Sequence, residues 1–167
     1  MGQINKLINS ISNAVDRAMV GMVFLIMAAM VIVTTLQVVF RVAFTALTWS
    51  EEMSRYLLVW GTFFGATLAY KRGNHIAVTF VIDLLPPRIR TGFNILTYLL
   101  SLAFFAVVAQ QGLNMIKMQV FQISPALGLP MKYIYWSIPI SLGIMILHSL
   151  AGIMDELNKA FGKEAAE

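Results

Sequence analysis

Long uncharged apolar runs alternate with short polar stretches along the whole chain. Met19 to Phe40 carries no charge. As a helix it reaches about 33 Å, enough for a ~30 Å hydrocarbon core. Arg41 closes it. Tyr56 to Tyr70 is also apolar but spans only about 22 Å, too little for a crossing, so that helix must start earlier. Thr48-Trp49-Ser50-Glu51 has capping-box spacing, with Thr48 as N-cap and Glu51 three positions later. Glu51 and Glu52 then suit the positive end of the helix dipole, Lys71 and Arg72 its negative end, and Gly73 a left-handed cap. Pro86-Pro87 opens a third span, about 91–116, and a fourth runs about 133–154 with Pro139 as an expected kink. Lys117 to Lys132, with Pro125, Gly128 and Pro130, reads as a loop.

The first residues follow another pattern. Ile4, Leu7, Ile8, Ile11 and Val15 recur at helical spacing, with Asn5, Lys6, Asn9, Ser12, Asn13 and Asp16 between them. Residues 1–17 are therefore expected to form an amphipathic helix, lying in the membrane interface or extending the first span. The first long apolar run is too long for a signal core and has no small-x-small site after it, so no cleaved leader is expected. The predicted fold class is an all-α integral membrane protein. It has an amphipathic segment (1–17), a four-helix transmembrane domain (18–154; spans about 19–40, 49–72, 91–116 and 133–154) and a polar tail (155–167).

Composition agrees with a lipid solvent. Of 167 residues, 59% are hydrophobic and 12% charged, against about 25% charged in a soluble domain. The net charge of +4 is scattered singly between the spans, which excludes a nucleic-acid patch and points to orientation in a membrane. With four spans the end holding both termini would carry Lys6, Arg17, Lys71, Arg72, Arg88, Arg90, Lys159 and Lys163. The other would carry Arg41, Arg55, Lys117 and Lys132. The excess places both termini in the cytoplasm. Trp49, Tyr133, Tyr135 and Trp136 would mark the outer interface and Tyr70 the inner one. Cysteine is absent, which removes disulfides and thiol chemistry, and His75 and His148 are too far apart in sequence to suggest a metal site.

Carriers and pumps generally place an ionisable group near the bilayer midplane. Here every charge lies at a span end or in a loop, and His148, nearest to an exception, reads as a neutral histidine bonded to another helix. An enzyme is not expected: paired histidines for haem and acid–histidine clusters are both missing. The polar residues gather toward the outer end. Thr34, Gln37 and Arg41 share a face of the first helix; Glu51 and Glu52 can each pair with Arg55; Gln110, Asn114 and Lys117 form a stripe on the third. Arg41, Glu51, Glu52 and Lys117 are thus candidates for an outer rim that ties the helices, with Arg41 paired to one of the acids, or docks another protein. Gly61 and Gly65 form a GxxxG pair that permits close approach of a helix, inside this chain or on a partner.

The stretch WSEEMSRYLLVW followed by GTFFGATLAYKRGNHIAV (49–78), with Asp83-Leu84-Leu85-Pro86 after it, resembles the small membrane subunit of tripartite ATP-independent periplasmic (TRAP) transporters, the DctQ-like family. Thr79 stands where that family more often has an acidic residue. The resemblance implies a non-catalytic subunit, in the bacterial inner membrane, of a sodium-coupled importer of an organic acid of the sialic acid or C4-dicarboxylate class. The partners it implies are a large elevator-type membrane subunit, which would hold the substrate and sodium, and a periplasmic binding protein; membrane lipid surrounds the chain. No cofactor is expected on this chain. Arg55, Trp60, Gly61 and Gly65 are the candidates for the large-subunit interface, and Arg41, Glu51, Glu52 and Lys117 for binding-protein docking. The competing reading is an autonomous small oligomeric transporter or channel.

Overall fold

The computed structural model describes residues 2–72 and 87–164. They form α1 (Gly2–Ala43), α2 (Thr48–Lys71), α3 (Pro87–Met118), the short α4 (Lys132–Tyr135) and α5 (Ser137–Glu164). Three of these stretches are long and apolar enough to cross a membrane: Lys6–Ala43, Ile89–Met118 and Lys132–Asn158. The less apolar α2, with Glu51 and Glu52 near one end and Lys71 at the other, packs between α1 and α5. Packing on two neighbours shields part of the helix that is most costly to surround with lipid. α3 lies on α5, and the backbones of α1 and α3 nowhere meet among the described residues.

The local chemistry fits these boundaries. Pro87 is the first residue of α3, where the missing N–H costs nothing. The kink expected at Pro139 takes the form of an interruption at Trp136 between α4 and α5. Pro139 has no N–H for the carbonyl four residues before it, Tyr135, and its ring crowds that carbonyl. Ser137 donates from Oγ to the Ile134 carbonyl at 2.8 Å across the break.

Two expectations need correction. Residues 1–17 are not a separate interfacial helix: α1 is unbroken from Gly2 to Ala43, about 63 Å long. The capping box is not formed either. Leu47 occupies the N-cap position with extended φ/ψ, and its side chain has no acceptor with which to cap; the Ser50 hydroxyl reaches back to the Leu47 carbonyl at 2.8 Å. Gly73, His75, Ile76, Thr79 and Asp83 to Pro86 lie outside the described residues.

Packing follows the rules of a lipid solvent. The core between α2, α3 and α5 holds Phe105, Leu142 and Met145, flanked by Tyr70 and Ile138. Tyr70, expected as a marker of the inner interface, meets Phe105 edge-on at 4.9 Å and hydrogen-bonds the Ser149 hydroxyl at 2.6 Å. The most deeply buried side chains are small and polar: Ser50, Thr67, Ser137, Ser141 and Ser149. Small residues let helix backbones approach closely. Phe24, Leu25, Val31 and Ile32 on α1, and Leu99, Leu100, Phe104 and Val107 on α3, face outward. Gly152 of α5 is a point of closest approach: a Cβ there would lie 2.6 Å from the Tyr98 ring.

Candidate functional site

Polar side chains gather at the two ends of the bundle. At the end opposite the termini, the chain between α3 and α4 folds back on itself. Ser124 N–H donates to the Leu129 carbonyl at 2.9 Å, and Met131 N–H donates to the Gln122 carbonyl at 2.9 Å. Gly128 makes this turn possible with φ of 65°, a conformation costly for any residue with a Cβ. The loop is fastened by one residue of α2. The Glu52 carboxylate accepts from the Ser124 hydroxyl and from the backbone N–H groups of Ala126 at 3.1 Å and Leu127 at 3.0 Å. One turn along α2, the Tyr56 hydroxyl reaches the Met131 sulfur at 3.4 Å. Three donors converging on a carboxylate form a strong, oriented joint, since charge-assisted hydrogen bonds exceed neutral ones.

Its neighbour Glu51 points away and meets Arg55 at 3.6 Å, with both side chains mostly in the open. Exposed pairs of this kind contribute little. Arg41, in the last turn of α1, is exposed and makes no ion pair among the described residues, so the expected link to Glu51 or Glu52 is absent. Lys117 is exposed at the end of α3. Thr34 bonds its own helix at the Met30 carbonyl, 2.7 Å away, and Asn114 reaches only Gln111 of its own helix at 3.4 Å. The outer polar set thus does not join helix to helix; Glu52 and the loop it holds do.

Of the candidates on α2, Gly61 is buried, and a Cβ there would sit 3.2 Å from Ile26 Cγ2. Its close approach is to α1 of the same chain. A Cβ at Gly65 meets nothing, so that position stays open. Trp60 is half-buried and stacks edge-on against Phe64 at 5.1 Å. Arg55 stays on the surface.

The end bearing the termini holds a second cluster, largely unforeseen. The Asn9 amide donates to Asp155 Oδ1 at 2.6 Å, and Lys71 Nζ donates to the Ser12 carbonyl at 2.7 Å and to Asn13 Oδ1 at 2.8 Å. Ser12 Oγ and His148 Nδ1 share a hydrogen bond of 2.8 Å, with both residues buried. His148 therefore has the interhelical bond its reading required. Arg72 approaches Asp16 at 3.9 Å. Asn9, Ser12, Asn13 and Asp16 fall at i, i+3, i+4 and i+7, one face of a helix. That face was legible; its direction, into α2 and α5, was not. Among the described residues no group of acids and histidines is placed to hold a metal ion.

Comparison with known proteins decides what such a bundle is. Residues 30–159 match the family described as tripartite ATP-independent periplasmic transporters, DctQ component. The chain belongs to this family. DctQ components are parts of transporters and not enzymes, and with three membrane-crossing stretches the chain is a multi-pass protein of the inner membrane. It is 28% identical over 141 residues to a putative TRAP transporter small permease protein of Haemophilus influenzae, covering 84% of this chain and 87% of the relative. It is 33% identical over 138 residues to the isethionate TRAP transporter permease protein DctMQ of Oleidesulfovibrio alaskensis, covering 75% of this chain but only 22% of that longer protein. The sialic acid TRAP transporter small permease protein SiaQ of Vibrio cholerae is 25% identical over 114 residues, 68% of this chain and 66% of the relative.

Proposed function

We propose that this DctQ-family chain is the small, non-catalytic subunit of a sodium-coupled TRAP transporter that imports an organic acid. It braces the large elevator-type subunit and helps to receive the periplasmic binding protein. The match to the DctQ family over residues 30–159 carries the reading. Charged residues confined to the two ends of the bundle support it, since the long uncharged stretch of α1 offers no charge with which to hold an ion or an anionic substrate at mid-depth. Substrate and sodium would be held by the large subunit. An elevator must move against something fixed in the bilayer, and four helices crossing side by side widen that fixed footprint. Both termini would face the cytoplasm, as the excess of Lys and Arg at that end favours.

In this reading Arg55, Trp60 and Gly65 on α2 are the candidate contacts of the large subunit, while Arg41, Lys117 and the exposed Glu51, paired only with Arg55 of its own helix, stand at the periplasmic rim for the binding protein. Glu52 acts there through the loop it holds. The substrate belongs to the anionic class of the relatives' names, which include sialic acid and isethionate; the sialic acid and C4-dicarboxylate classes are the first to test. Co-expression of the tagged chain with the large subunit should give a stable complex. Vesicles holding both, supplied with binding protein and a sodium gradient, should accumulate substrate, while vesicles with this chain alone should stay inert. Uptake by the chain alone would instead establish an autonomous carrier.

A further inference from the structure

The loop between α3 and α4 leaves its apolar side chains uncovered. Phe121 is 94% and Ile123 63% exposed, with exposed Met118 and Val120 beside them. Residues 118–131 contain no acidic side chain, and Lys117 and Lys132 flank them. Just beyond, Tyr133 and Trp136 are exposed too, and the Lys132 ammonium lies 5.2 Å from the centre of the Tyr133 ring. Aromatic rings with a polar tip collect where hydrocarbon gives way to headgroups, and lysine stems reach along apolar surface to put their charge there.

The depth of the loop and its backbone bonding fit that boundary. It joins two stretches able to cross a membrane, Ile89–Met118 and Lys132–Asn158, so it begins and ends at one surface of the bilayer. It does not rise freely from there. Ala126 and Leu127 donate to Glu52 near the start of α2, and Met131 meets Tyr56 one turn farther in. From Glu52 to Lys71 α2 measures about 29 Å, close to the ~30 Å hydrocarbon core. With α2 upright in the bilayer, the tip of the loop is level with the edge of that core. Where water thins out, a backbone must bond internally. The N–H groups of Gln119, Gln122, Ser124, Gly128 and Met131 donate to carbonyls of the loop or of α3. Glu52 takes those of Ala126 and Leu127, and Pro125 and Pro130 have none. A loop standing in water can leave such groups to the solvent.

We propose that this loop is a lipid seat: Phe121 and Ile123 enter the boundary between headgroups and acyl chains, and Lys117 and Lys132 meet lipid phosphates. Glu52, by holding the loop, sets the depth at which the bundle sits. This rests on the reading above in which α2 crosses the bilayer beside the other helices, and adds lipid as the partner of the loop. The chain contains no cysteine, so Phe121→Cys, Ile123→Cys and, as a control, Leu58→Cys each introduce a single thiol for an environment-sensitive fluorophore. Leu58 is exposed on α2, about 9 Å from Glu52 toward the core. Each labelled full-length chain is placed in phospholipid vesicles, alone and in complex with the large subunit. Nitroxides attached to the lipid near the headgroup should remove most of the emission at 121 and 123 in both preparations, and dissolved iodide little of it. Strong quenching by iodide with none by lipid nitroxides overturns the proposal. If Leu58 in the chain alone is then still quenched by nitroxides deep in the acyl chains, only the loop seat falls. If Leu58 is not quenched by them, α2 does not cross, and the four-crossing reading falls together with this proposal. Lipid quenching at 121 and 123 that disappears when the large subunit or the binding protein is bound also overturns the proposal and assigns the loop to that partner.

Discussion

The two ends of the bundle are closed by different means. At the loop end one carboxylate, Glu52, gathers three donors from the segment between α3 and α4. At the terminal end the closure is spread over α1, α2 and α5 through separate bonds: Asn9 to Asp155, Ser12 to His148, Lys71 to Ser12 and Asn13, and Tyr70 to Ser149. The difference follows from what each end must satisfy. An irregular loop carries backbone N–H groups without helical partners, and one anionic side chain can collect several of them. Helices side by side have satisfied backbones, so only side chains remain to join them, pair by pair. The first arrangement should fail as a unit and the second by degrees.

The largest effect expected is at the terminal end, where packing is tightest. Gly152→Leu places atoms in the space of the Tyr98 ring, and overpacking of this kind costs about 1–3 kcal/mol or more. Thermal unfolding in detergent should fall clearly below that of the unaltered chain, while Gly65→Leu, which meets nothing within the chain, should leave it unchanged. Equal behaviour of the two would contradict the packing described here.

Next in size, Glu52→Ala should release the whole loop. Limited proteolysis should cut within residues 119–131, and the unfolding midpoint should drop by several degrees, whereas Glu51→Ala should do neither. If both acids prove equivalent, the loop is not held by a single residue. Ser12→Ala should have a smaller, graded effect of about 1 kcal/mol, because one buried bond is lost while its neighbours persist. A double-mutant cycle with His148→Leu measures that bond, and a coupling energy near zero would remove it from the account.

Smallest of all, Arg41→Ala and Lys117→Ala should not move the unfolding midpoint, since both side chains are exposed without ion pairs among the described residues. Any loss of uptake on those substitutions would therefore report docking. A fall in stability would mean that the rim joins helices after all.

Much of the helical plan was legible because it follows from local chemistry. An uncharged run long enough to cross lipid needs its backbone satisfied internally, which requires a helix. Pro87 begins α3, and Pro139 lies just past the interruption, for the same local reason: a proline supplies no N–H. The site residues were harder. Glu51 and Glu52 are adjacent and chemically alike, and helical geometry turns them about 100° apart; which one meets the loop depends on where α3 and α4 deliver it. Gly61 and Gly65 make an equally symmetrical pair, of which one is taken by Ile26. Gly152, at the tightest contact, belongs to no such pattern.

The sequence alone determined the solvent, the helical class and the family motif of this protein, because hydropathy and backbone hydrogen bonding act within a single segment. Tertiary structure decided the rest: that α1 runs through without a turn at residue 17, that its polar stripe is drawn inward by Lys71, His148 and Asp155, and that Glu52 rather than Glu51 holds the loop. Those outcomes depend on distances between segments far apart in the chain. A pattern along one helix gives the width of a polar face, but only a neighbouring helix gives that face a partner.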